Sequence, residues 1–321
     1  MKAIRIHQFG SSELLKTEEV PVPVISDNEL LISVYTASVN HIDSLLASGF
    51  LSHVYPLVFP WIPGTDFAGK IEAIGKNVSN FAVGDAVYGS KFGGGAYAEF
   101  MVVTLEMIYA KPASLTFVEA AGLPVAAVTA IEGLFKHGHL QSGQKVLIHG
   151  GAGAVGTCAV QMAVQAGARV IVTASETDKN WLLSLGAHEV IDYRTKRFES
   201  VAGEVDMVFD LVGGEVQDRS FTIIREGGFL VAVNQHPSAE LAKKYNVRTV
   251  FMNALPRAES LKQVYHLIEK GKLSLEVAQV YPLEEAGQAW KNIAENLTGT
   301  TGYRPVNKDK KRGKHVILIR K

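Results

Sequence analysis

Cysteine is almost absent: 321 residues hold only Cys158, so neither an internal disulfide framework nor a thiolate cluster for zinc or iron–sulfur can form. Cys158 itself reads as a small apolar helix filler rather than a reactive thiol. Excess charge of either sign is also lacking. The 32 Lys and Arg balance 32 Asp and Glu, which removes the bulk electrostatic basis for binding nucleic acid or an anionic membrane and favours a small-molecule partner. No apolar run reaches the ~18 residues of a spanning helix, and Met1-Lys2-Ala3-Ile4-Arg5-Ile6 alternates like a strand without the apolar core of a signal peptide. A cytoplasmic protein with no membrane or nucleic-acid partner is expected. The length suits two domains with separate cores.

What the chain does have is a glycine turn in an informative place. The apolar run Val146-Leu147-Ile148 leads into Gly151-Ala152-Gly153-Ala154-Val155-Gly156, a helical stretch follows to Ala168, and a second apolar run occupies Val170 to Thr173. Gly-x-Gly-x-x-Gly between strand and helix is the pattern that lets a dinucleotide diphosphate approach backbone N–H groups at a helix N-terminus. Gly151 makes the turn, Gly153 keeps a Cβ away from the phosphates, and Gly156 lets helix and strand pack. Ala154 and Val155 offer the first-turn N–H groups.

An NAD-binding chain places Asp or Glu at the end of the second strand to hold the ribose 2′-hydroxyl. That position here is Ser175, with Lys179 one turn further on. A hydroxyl and an ammonium suit a 2′-phosphate, so NADPH is expected, although Glu176 takes the carboxylate role if the strand ends one residue later. Tyr193 and Arg194 either flank the adenosine end as ring and cation or form an ordinary surface turn.

The first third of the chain is β-rich and punctuated by Pro and Gly, which predicts a barrel-like domain over residues 1–121. Ser114 reads as a helix cap, and Ala126 to His137 as a helix. From Lys145 strand and helix signals alternate, including Phe221 to Arg225 and Gly228 to Val233, as in a doubly wound parallel sheet. The cofactor domain is therefore expected over residues 122–255, with residues 256–321 returning to the first domain and ending in a strand, Val316 to Arg320. The basic run Lys308 to Lys314 reads as a solvated loop.

These residues resemble the medium-chain dehydrogenase/reductase superfamily, in particular its zinc-free quinone oxidoreductase (zeta-crystallin-like) branch. The markers run nearly end to end: Asn40-His41-Ile42-Asp43, Pro63-Gly64-Thr65-Asp66-Phe67-Ala68-Gly69, Gly84-Asp85-Ala86-Val87-Tyr88-Gly89, Gly94-Gly95-Ala96-Tyr97-Ala98-Glu99, Val128-Thr129-Ala130, the glycine turn, and Asp210-Leu211-Val212-Gly213-Gly214. The resemblance implies an α/β architecture, a GroES-like β-rich catalytic domain split around a Rossmann domain, and a homodimer. Zinc alcohol dehydrogenases of the superfamily carry a zinc-binding Cys where this chain has Asn40, a His at Thr65 and a Glu at Asp66, and a proton-relaying hydroxyl at Ile42. No metal is therefore expected.

Without a Lewis acid the hydride acceptor must already be electrophilic, a quinone or an α,β-unsaturated carbonyl. Asn40 is the first candidate to donate to its oxygen, and Tyr55 either donates as well or is a packing aromatic. His41 is a candidate for the cofactor ribose or phosphates, and Thr129 for the nicotinamide end. Val212, Gly213 and Asn234 belong at the carboxyl ends of the sheet. Asp43 reads as structural, paired with a basic residue of the returning C-terminal segment. Two other functions fit the sequence: an NADPH-binding protein with little catalysis, and an enoyl-thioester reductase using the basic run Lys308 to Lys314.

Overall fold

A computed structural model describes residues 1–297 and 312–320. Strand β1 (Lys2–Arg5) pairs antiparallel with β2 (Lys16–Glu19) as a short ribbon. The strand expected at the N-terminus is present, but it does not alternate cleanly: the neighbours Ala3 and Ile4 are both buried while Lys2 faces solvent.

The β-rich first third then builds a larger sheet. Strand β3 (Glu29–Ser38) leads to helix α1 (His41–Ala47), and β4 (Asp66–Ile74), β5 (Ala86–Ser90), β6 (Phe100–Thr104) and β7 (Ile108–Ala110) follow. Short helices α2 (Phe117–Ala121) and α3 (Pro124–Ile131) come next. The cap of α2 is Thr116 and not Ser114, because Thr116 and Glu119 form a reciprocal capping box, with Thr116 Oγ1 accepting from Glu119 N at 3.2 Å. The helix expected through His137 stops at Ile131 and continues as a wide π turn over Glu132–His137. There Gly133 lies so close to the Phe209 ring that a Cβ would stand 2.4 Å from it.

Alternation of strand and helix begins at β8 (Lys145–His149) and α4 (Ala154–Gln165). It continues through β9 (Arg169–Ala174), α5 (Lys179–Ser184), β10 (Glu189–Asp192), β11 (Val205–Asp210), α6 (Glu215–Ser220), β12 (Ile224–Ala232), α7 (Ala239–Tyr245) and β13 (Arg248–Phe251). These six strands form an all-parallel sheet in the order β10-β9-β8-β11-β12-β13, with the order reversing beside β8. The separate elements expected over Phe221 to Arg225 and Gly228 to Val233 are largely one: Phe221 follows α6 and is fully buried, and β12 runs from Ile224 to Ala232.

Helix α8 (Ala258–Glu269), strand β14 (Val277–Pro282), helix α9 (Ala286–Leu297) and strand β15 (Lys314–Leu318) complete the described chain. Strand β15 lies between β14 and β3, so the end of the described chain joins the first sheet, ordered β14-β15-β3-β4-β5-β7 with β6 also on β3. One apolar cluster bridges the two sheets, taking Ala68 and Tyr88 from the first, Val146, Val172 and Phe209 from the second, and α3, α4 and α8 between them. Tyr88 Oη fastens that seam by donating to Leu261 O at 2.6 Å. Among the described residues no helix is long and apolar enough to cross a membrane.

Candidate active site

At the carboxyl edge of the parallel sheet, where β8 meets the reversal of strand order, the glycine turn is built as its chemistry requires. A Cβ on Gly151 would lie 1.8 Å from Val172 Cγ1, and one on Gly156 would lie 2.5 Å from Gly150 O, so each glycine is needed for backbone-to-backbone or backbone-to-strand contact. Gly153 is different: it is exposed, a Cβ there meets nothing nearer than Gly150 O at 3.4 Å, and it caps α4 without any side-chain hydrogen bond. The N–H groups of Ala154, Val155 and Gly156 thus open α4 with no capping side chain, a geometry that fits a diphosphate.

Neighbouring loops close around this turn. Val212 Cγ2 lies 3.2 Å from where a Gly150 Cβ would be, and Gly213 has φ +82°. The buried Asp210 carboxylate accepts from Val212 N at 2.9 Å, Gly213 N at 3.0 Å and Gln217 Nε2 at 2.9 Å, which fixes the Val212-Gly213 loop. Asn234 Nδ2 donates to Leu211 O at 2.7 Å, tying the loop after β12 to the loop after β11. Buried His149, ending β8, is held by Thr173 Oγ1 at 3.0 Å and Ser220 Oγ at 2.9 Å, and burial pushes its pKa down to about 4.

The ribose end departs from the sequence expectation. Ser175 follows β9 directly, but its hydroxyl donates to Asp178 Oδ2 at 2.5 Å and shares a hydrogen bond with Thr177 Oγ1 at 2.8 Å. Lys179 pairs with Glu176 at 3.2 Å. The carboxylate beside Ser175 is therefore Asp178, which lies four residues beyond the strand and so outside the position where the pattern places it. Tyr193 is partly exposed with the Arg194 guanidinium 5.3 Å from its ring centre.

A second polar centre lies under α1. Asn40, between β3 and α1, donates from Nδ2 to Asp66 Oδ2 at 3.0 Å, Thr65 Oγ1 at 3.1 Å and Ser38 Oγ at 3.4 Å, while its Oδ1 accepts from Lys314 Nζ. Asp43 Oδ2 accepts from Asn40 N at 2.9 Å, and Asp66 Oδ2 also accepts from Val125 N at 3.2 Å as α3 begins. All of these side chains are buried. Burial, with the Asp66 carboxylate opposing it further, raises the pKa of Asp43 to about 7 even though Asn40 N–H and Lys314 pull it down. Burial likewise raises Asp66, and it lowers Lys314 against the pull of both carboxylates.

Two expectations change here. Lys314, read as the end of a solvated loop, is the buried first residue of β15, where its ammonium contacts Asn40 Oδ1 and acts on Asp43 through its charge alone; Lys308 to Lys311 of that run lie outside the described residues. The Asn40 amide, expected to point at an acceptor, instead has its donors on Thr65, Asp66 and Ser38.

The remaining candidates are spread around these centres. His41 is exposed in the first turn of α1. Thr129 donates its hydroxyl to Val125 O at 2.6 Å within α3 and is nearly buried. Tyr55 packs edge-on to Phe92 with ring centres 4.5 Å apart, and its hydroxyl has no hydrogen-bond partner among the described residues.

Known proteins match this arrangement. Residues 26–113 match the family model described as alcohol dehydrogenase GroES-like domain, and residues 185–299 match that described as zinc-binding dehydrogenase. A mouse protein named quinone oxidoreductase is 33% identical, covering 94% of this chain and 96% of that protein. An Arabidopsis thaliana chloroplast envelope quinone oxidoreductase homolog is 31% identical over 93% and 97%. The solved quinone oxidoreductase from Coxiella burnetii superposes with a TM-score of 0.88 at 34% identity, covering 100% of this chain and 99% of that one.

A GroES-like β domain joined to a parallel nucleotide-binding sheet defines an oxidoreductase of the medium-chain dehydrogenase/reductase superfamily. Within it, the chain belongs to the quinone oxidoreductase branch.

Proposed function

We propose that this protein is an NADPH-dependent, metal-independent reductase of quinones or α,β-unsaturated carbonyls. The observation carrying the reading is the Lys314 ammonium. It contacts Asn40 among Thr65 and Asp66, the residues standing where zinc-dependent members keep Cys, His and Glu, so a fixed side-chain cation occupies the polar cage. An amide, a hydroxyl and one carboxylate already spent on Asn40 and Val125 make a poor donor set for Zn²⁺.

Ala154, Val155 and Gly156 would hold the cofactor diphosphate, with Val212, Gly213 and Asn234 beneath it and Ser175, Lys179 and Tyr193 at the adenosine end. His41 and Thr129 would border its nicotinamide half. When bound, the reduced nicotinamide supplies a hydride, and the protein supplies orientation and charge stabilisation. Tyr55 is assigned as hydrogen-bond donor to the acceptor oxygen, where negative charge develops, because its hydroxyl is uncommitted. Asn40 acts one step back as a positioning residue, holding Thr65 and Asp66 against Lys314.

A homodimer is part of this proposal: β13 is an open edge of the parallel sheet, and Phe251 on it is partly exposed. The relatives named quinone oxidoreductase support the acceptor class. The test is NADPH oxidation with a panel of quinones and enones, with and without EDTA. Turnover unaffected by chelation is expected; turnover lost to EDTA and restored by zinc would defeat the proposal, and tight NADPH binding without turnover on any acceptor would favour a non-catalytic binding role.

A further inference from the structure

A residue from the segment leading into β15 reaches the loop after β9 in the parallel sheet. Arg312, two positions before β15, donates from Nε to Asp178 Oδ1 at 2.7 Å and from Nη2 to the Thr177 carbonyl, and its guanidinium carbon stands 5.4 Å from the Trp181 ring centre on α5. Asp178 is the same carboxylate that accepts Ser175 Oγ through its other oxygen. Ser175, Asp178 and Arg312 therefore form a continuous relay at the carboxyl end of β9, and Gly151 N donating to Thr173 O at 3.2 Å brings the glycine turn alongside it.

We propose that Arg312 sets the dinucleotide preference of this protein by cancelling the charge of Asp178 at the ribose end of the site, an inference that rests on the NADPH reading for its direction. A carboxylate at that position hydrogen-bonds a free 2′-hydroxyl and repels a 2′-phosphate. With Arg312 in place, the four charged groups there, Glu176, Asp178, Lys179 and Arg312, sum to zero, and Asp178 has both oxygens occupied. Without Arg312 the sum is −1, and the oxygen it held is free to accept a ribose hydroxyl. The partner of Asp178 comes from the segment leading into the catalytic sheet, so cofactor choice is written in residues more than 130 positions apart, with |i−j| of 134 between them.

The experiment measures binding of two fragments by calorimetry, 2′,5′-ADP and 5′-AMP, which differ only in the 2′-phosphate and need no turnover. Arg312→Ala is expected to lower the affinity ratio of 2′,5′-ADP to 5′-AMP by about tenfold, with 5′-AMP bound as well as before or better. The double variant Asp178→Asn with Arg312→Ala is expected to return the ratio to within about threefold of wild type. An unchanged ratio in Arg312→Ala, an equal loss for both fragments, or a double variant as impaired as the single one would overturn the inference, the second outcome marking Arg312 as a structural tie only. The NADPH reading is judged separately by the wild-type ratio, which fails it by favouring 5′-AMP, while the shift between variants still decides the role of Arg312.

Discussion

Lys314 carries a charge where water does not reach, and its neighbours determine what that costs. Burying one ammonium beside two carboxylates leaves the group short of a positive charge unless a carboxyl keeps its proton. Desolvation raises the pKa of both carboxyls, that of Asp43 to about 7, so both hold a proton more tightly than in water. The sign of the linkage follows: the unfolded carboxyl titrates near 3.8 and the folded one near 7, so the native state holds more protons between these values. Stability from Asp43 is complete below about pH 4 and is lost as pH rises to about 7. Asp43→Asn keeps an oxygen for Asn40 N–H and removes the titration, and should flatten the fall in urea midpoint between pH 4.5 and 7.5. A variant with the wild-type slope would show that another group is responsible.

Among the elements, the turn into α4 is the most exacting. The Cβ that Gly156→Ala would add lies 2.6 Å from Gly151 Cα and 2.5 Å from Gly150 O, both backbone atoms, so the turn must open to admit it. Loss of dinucleotide affinity by about tenfold or more is expected, read by calorimetric titration with NADPH; retained affinity would mean that the diphosphate lies elsewhere. This element was legible in the sequence because its chemistry is local: three glycines, a strand before and a helix after. The network under α1 was legible only in part. Asn40, Thr65 and Asp66 stand in recognisable motifs, yet the ion that joins them comes from Lys314, separated from Asn40 by |i−j| of 274. Ser175 shows the same limit. Its position after β9 was readable, but its commitment to Asp178, and that of Asp178 to Arg312, depends on tertiary contact.

Across the whole molecule, the two sheets meet over one apolar cluster rather than over a wet hinge, with Tyr88, α3 and α8 between them. The β-rich start and the parallel sheet follow from patterning, since each rests on local periodicity and turn residues, whereas the return of the chain is a pairing of β15 with β3 that joins Val316 to Ser38. The proposed homodimer would use β13, an edge strand of the parallel sheet with the Phe251 side chain exposed on it. Light scattering should give twice the 34.7 kDa chain mass, and Phe251→Asp should shift the population toward monomer. A wild-type monomer, or a dimer indifferent to that substitution, would place the interface elsewhere or remove it.

The position of β15 has a consequence for how the protein is made. This strand pairs with β14 and β3, and its first residue sets a positive charge near Asp43 and Asp66, yet it is translated after all of them. The parallel sheet, complete at Phe251, can close while the chain is still emerging. The first sheet cannot: until β15 leaves the ribosome, Thr36 to Ser38 of β3 lack their partner strand and the acidic pair lacks the Lys314 cation. The nascent chain therefore holds a finished nucleotide-binding half beside an unfinished catalytic one, and the residue that completes the second arrives only a few positions after Arg312, which fastens onto the first.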